Sequence, residues 1–139
     1  TRITLMMART ISPQISCHID GFSSFALMAP RFAKLLEPNQ IKRSFWIKQS
    51  LARRGIVAAQ YLIDHKKSFT HPQEFLEISS PSLIPKGKQI SPAFIAAEDV
   101  YTDTIYLLEL SLSAHRQKRK SNWENILPIY PTSPVDKLQ

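Results

Sequence analysis

Cysteine occurs once in the 139 residues, at Cys17. That excludes an intramolecular disulfide framework and any zinc site built on cysteine pairs. Glycine is nearly as scarce, with three residues, and none sits in a Gly-x-Gly-x-x-Gly turn or a Walker loop. So few glycines also speak against a large twisted sheet joined by tight turns. No apolar run approaches the roughly 20 residues that a membrane-spanning helix needs. The longest, Phe22 to Met28, is interrupted by Ser23 and Ser24, so no transmembrane span is expected. Acids are rare near the start: Asp20 is set against Arg2, Arg9, Arg31 and Lys34 within the first 36 residues. An acid-poor stretch that bears Ser and Arg has the composition of a mitochondrial presequence, and a mitochondrial location is expected.

Proline and positive charge are what the chain has in quantity. There are 10 prolines, and 18 Lys and Arg against 11 Asp and Glu give a formal net charge of +7. A hydrophobic content of 43% excludes a disordered acidic tail. One folded domain suits this length. The prolines divide the chain into a basic arm over 1–40, extended and partly helical, a small helical domain over 41–127, and an extended Pro-rich tail over 128–139.

The fold expected is mainly α: two principal helices packed together, short accessory helices, and extended ends. The first principal helix spans roughly 42–66, where Ile47, Leu51, Gly55, Ala58 and Leu62 share a helical stripe. Gly55 costs about 1 kcal/mol there relative to Ala, which calls for either close packing or a break. The second spans roughly 92–118, with Ser91 as cap and Pro92 in the first turn. Its stripe is Phe94, Ala97, Tyr101, Ile105, Leu108, Leu112 and His115. Accessory helices are expected over 22–36, with Phe25, Met28, Ala29, Phe32 and Leu36 inward and Pro30 as a kink, and over 72–78. Residues 1–21 show no helical period and read as extended, and 79–92 reads as a loop turning at Lys86-Gly87-Lys88.

The charge is concentrated. Residues 42–67 carry a net charge of +6, Arg116 to Lys120 add four cations with no acid, and the remainder is acidic. Two cationic segments on an otherwise acidic chain are the footprint of a polyanion-binding protein. Lys42, Arg43, Lys48, Arg53, Arg54, Arg116, Lys118, Arg119 and Lys120 are therefore the candidate nucleic-acid contacts. Trp46, Trp123 and Tyr130 are the candidate anchors for protein partners. His18, His65, His71 and His115 form no metal-ligand spacing with each other, Cys17 or an acid. Adjacent Cys17 and His18 lack the geometry of a nucleophile and its base. Glu98, Asp99 and Asp103 suit a helix N-terminus better than paired acid–base work. No catalytic residue, metal or cofactor is expected.

In composition the chain resembles small accessory subunits of large organellar assemblies, which are basic and carry long tails over their neighbours. The resemblance implies a non-catalytic structural subunit of a multi-subunit complex, a mitochondrial ribosomal protein in contact with RNA and other subunits. The alternative is a peripheral supernumerary subunit of a respiratory-chain or ATP-synthase complex, where the same cations meet acidic protein or lipid head groups.

Overall fold

In the computed structural model of the chain, which describes residues 2–17, 19–36, 44–63, 75–118 and 126–128, the segment expected as the first long helix is a β-hairpin. β1 (Phe45–Leu51) pairs antiparallel with β2 (Gly55–Ile63), from Phe45↔Tyr61 to Leu51↔Gly55. The same segment also satisfies a period of two, with Ile47 and Leu51 common to both patterns and Ala58 and Leu62 on the opposite sheet face. Phe45, Ile47 and Leu51 on β1, and Val57, Ala59, Tyr61 and Ile63 on β2, share one face. Aromatic and β-branched residues favour that extended choice. Gly55 is the break: its φ of +98° suits glycine, and with Arg53 at +64° it closes a three-residue turn over 52–54.

β3 (Phe75–Leu83) adds antiparallel to β2, and β4 (Ala93–Ile95) adds parallel to β1. The result is a four-stranded mixed sheet in the order β3-β2-β1-β4. This overturns the mainly α reading. Pro81 within β3 is tolerated because β3 is an edge strand, whose outer N–H groups have no ladder partner to lose. The register of β3 slips between Tyr61 and Ala58, and β4 is only three residues long. Both edges are thus poor templates for a further strand. The described part of the short helix expected over 72–78 is the beginning of β3.

Three helices are described: α1 (Arg2–Gln14), α2 (Ser24–Ala33) and α3 (Val100–Arg116). α2 follows the sequence reading closely. Phe25, Met28, Ala29 and Phe32, with Leu36 beyond its end, are all buried against the sheet. Ser23 caps it by accepting from the Ala26 N–H at 3.1 Å, and the helix continues through Pro30. Phe45 sits centrally in the core, with the rings of Tyr61, Phe75 and Phe94 at 6.1–6.3 Å, and Phe94 stacks on Phe32 at 5.2 Å.

α1 occupies residues expected to be extended. Its signal in the sequence is the spacing of four through Ile3, Met7 and Ile11, although Met6, Met7 and Ile11 are exposed. α3 begins at Val100, well after Pro92. Its cap is Asp99, whose carboxylate accepts from the Thr102 N–H at 3.1 Å and the Thr102 hydroxyl at 2.8 Å. Ser91 and Pro92 lead into β4 instead, and the Pro92 carbonyl accepts from Trp46 N–H.

α3 also turns the opposite way from expectation. It docks through Asp103, which pairs with Arg31 of α2, through Tyr106, whose ring meets Phe75 at 6.5 Å, and through buried Leu110, Ser113 and Ala114. Of the expected stripe, Phe94 packs into the core from β4, while Tyr101, Ile105, Leu108, Leu112 and His115 on α3 are exposed. Two principal helices packed together are therefore not what holds the fold; α2 on the sheet is.

The link from β3 to β4 has to pass from one sheet edge to the other. It crosses the face away from α2, because Lys88 places its ammonium 5.4 Å over the ring of Trp46, which points to that face. The crossing explains why Trp46 and Ala58 are buried on the side without a helix.

Candidate functional site

The hairpin turn presents the strongest local charge. Ala52, Arg53 and Arg54 are exposed at the tip, and Arg54 N–H donates to the Leu51 carbonyl at 3.1 Å. Arg53 holds a left-handed backbone that a glycine would adopt without strain. Lys48 lies on β1 between Ala58 and Ile95, half-buried, on the same face as Trp46. Arg116 occupies the last turn of α3 and Lys118 follows it, both exposed. Lys42, Arg43, Arg119, Lys120, Trp123 and Tyr130 lie outside the described residues. The structure therefore places the described cations at the hairpin tip, on the open sheet face and at the end of α3.

Trp46 is buried beneath Lys88. Its ring is occupied by a cation of its own chain. Exposed aliphatic side chains on that face are Ile56, Leu76, Ile78 and Ile95, alongside exposed Ser50 and Ser82. Aliphatic surface is suited to a protein neighbour, whereas bases stack on aromatic faces. Lys86 and Lys88 join the charge of this face and were not singled out from the sequence beyond their turn. Their signal was the pair of lysines either side of Gly87, which has a φ of +84°.

Three acids accept hydrogen bonds from groups of the same chain. Asp103 accepts from Arg31 at 2.8 and 3.1 Å, and the same guanidinium donates to the Ala97 carbonyl at 2.6 Å. Glu77 accepts from the Tyr61 hydroxyl at 3.2 Å and from the Ser80 hydroxyl at 2.6 Å. Hydrogen bonds from Thr102 hold the Asp99 carboxyl below its usual range, as a working cap requires. Burial pushes the Tyr61 hydroxyl far above the phenol range, so it stays a neutral hydrogen-bond donor at ordinary pH.

A cavity of about 660 Å³ opens beside the hairpin, with Leu5, Phe22, Phe25, Leu51, Val57 and Pro81 on its wall. Among the described residues lining it, Asp20 is titratable, and Ser23, Ser24 and Gln49 are further polar groups. Such a wall offers apolar contact rather than a paired acid and base. Among the described residues no group of three His, Cys, Asp or Glu side chains is placed to hold a metal ion. Cys17 is exposed, and its backbone carbonyl accepts from the Ser12 hydroxyl; His18 lies outside the described residues. Among them too, no helix is long and apolar enough to cross a membrane.

No known protein family, curated protein or solved structure matches the chain. The described residues offer exposed cations at the hairpin tip and at the end of α3, and exposed apolar side chains on α3 and on the sheet face away from α2.

Proposed function

We propose that the chain is a non-catalytic structural subunit of a large organellar ribonucleoprotein, the mitochondrial ribosome, in which its cations meet RNA phosphates and its apolar faces meet protein. The observation that carries this reading is the clustering of exposed cations: Arg53 and Arg54 at the hairpin tip, Lys86 beside Gly87 in its turn, and Arg116 and Lys118 at the end of α3. A surface biased in this way attracts a polyanion at long range. With Trp46 covered, the contacts are to phosphates rather than to bases, so binding is tolerant of sequence. The acid-free, Arg-bearing α1 supports the mitochondrial part of the reading, since import signals are basic amphipathic helices.

The test is RNA affinity of the full chain against salt. With about four phosphate contacts, affinity for single-stranded RNA falls about 50-fold from about 50 to 200 mM salt. A flat dependence contradicts the RNA reading. Co-sedimentation with a membrane complex that survives nuclease but not detergent also contradicts it, in favour of a peripheral respiratory-chain or ATP-synthase subunit.

A further inference from the structure

We propose that α3 pairs antiparallel with α3 of a second copy of this chain. The inference rests on reading the outer face of α3 as an interface, and it does not depend on RNA.

Tyr101, Ile105, Leu108 and Leu112 follow one another at spacings of four, three and four, which is the seam of a coiled coil. They are 77%, 42%, 59% and 46% exposed. The chain's own packing uses the other side of the helix, through Asp103, Tyr106, Leu110 and Ala114. The seam is therefore additional to the fold. A continuous apolar stripe of this kind marks an interaction surface.

Charge selects the occupant and its direction. Exposed Glu98 lies just before α3, next to the Asp99 carboxylate that caps the helix, and His115, Arg116 and Lys118 lie at its end. A parallel pair would set acid against acid and base against base. An antiparallel pair sets the acids of each copy against the bases of the other at both ends. It also opposes the two helix dipoles. In that register Tyr101 faces Leu112 and Ile105 faces Leu108, so each seam residue meets an apolar partner. The arrangement is isologous and closes after two copies, leaving no seam open for further growth.

An interface of this length belongs with the weak, small class, so sedimentation equilibrium on the full chain is run up to about 100 μM. A reversible monomer–dimer equilibrium is expected. Leu108→Glu should weaken the dimer at least about 100-fold, because each copy then buries a carboxylate in the seam. Leu108→Gln serves as the second variant, and unchanged far-ultraviolet circular dichroism shows that both fold. Arg116→Glu with Lys118→Glu should weaken the dimer, and adding Glu98→Lys should restore it. In a Cys17→Ser background, a mixture of Tyr101→Cys and Leu112→Cys chains should form 101–112 disulfides. A monomer at the highest concentration overturns the proposal. So does a dimer indifferent to Leu108→Glu, or one that yields only 101–101 and 112–112 disulfides. RNA affinity and its salt slope, measured on the same samples, separate the two readings: a monomer that keeps salt-dependent RNA binding sinks the pairing alone.

Discussion

The layer of α2 on the sheet and the helix α3 handle their apolar residues in opposite ways. In the first, Phe45, Ile47, Ala59 and Tyr61 are at most 1% exposed, and Phe25, Met28 and Phe32 of α2 close over them. In the second, a helix of 17 residues buries Leu110, Ser113 and Ala114 and leaves Tyr101, Ile105, Leu108 and Leu112 exposed. The described residues complete the first region and leave the outer face of the second exposed. The difference teaches where stability resides and where association resides. Arg31 is the joint between them, reaching from α2 to Asp103 and to the Ala97 carbonyl.

The largest test of this contrast is a pair of truncations. Phe45→Ala should cost about 3–5 kcal/mol in urea unfolding, from lost transfer energy plus the cavity left in a packed core. Leu108→Ala in dilute protein should stay within about 0.5 kcal/mol of the parent, as an exposed site does. Equal losses would abolish the distinction.

Arg31→Ala comes next, at about 1–3 kcal/mol, because it leaves the Asp103 carboxylate partly desolvated without its partner. The loss should be regional. Hydrogen exchange should speed up in α3 while the amides shared by β1 and β2 keep their protection. Uniform acceleration would mean that the two regions are one cooperative unit.

Tyr61→Phe should cost about 0.5–1.5 kcal/mol by removing the bond to Glu77. It also carries a pH signature. Burial raises the Tyr61 hydroxyl above its unfolded value of about 10, so the folded chain keeps a proton that the unfolded chain releases. That share of stability is whole below about pH 10 and is lost as the pH climbs beyond it. The Phe variant should lack this alkaline loss in a pH series of unfolding midpoints.

The smallest effect on stability is expected from Arg53→Gly. Relief of a left-handed arginine offsets the extra freedom that glycine gives the unfolded chain. RNA affinity should still fall, with a shallower salt slope by about one phosphate contact. A stability loss comparable with that of Arg31→Ala would show that the turn needs the arginine side chain for the fold.

What the sequence revealed follows from how decisively each segment favours one period. In α2 the inward set Phe25, Met28, Ala29, Phe32 and Leu36 was read correctly, because short spacings of three and four fit no strand. Residues 45–63 fit both periods, and the choice lay in Arg53-Arg54-Gly55, where a glycine in mid-helix was itself a warning. β3 was hidden by Ser79, Ser80 and Pro81, which look like a loop until an edge position excuses the proline. The stripe of α3 was legible as a stripe, while its outward direction was not. Periodicity says that residues share a face, and only packing says what the face meets. The cations were visible as segments, but Lys48 on the sheet and Arg53 on the turn are separated by a fold that a helix reading did not contain.

The described residues leave the seam of α3 open. Thiol labelling measures this directly, in a Cys17→Ser background, with Leu108→Cys compared against Ile47→Cys in dilute native protein. The expected result is rapid modification at 108, slowing as concentration rises, and protection at 47 that is lost only on unfolding. Protection at 108 equal to that at 47 under dilute conditions would contradict it.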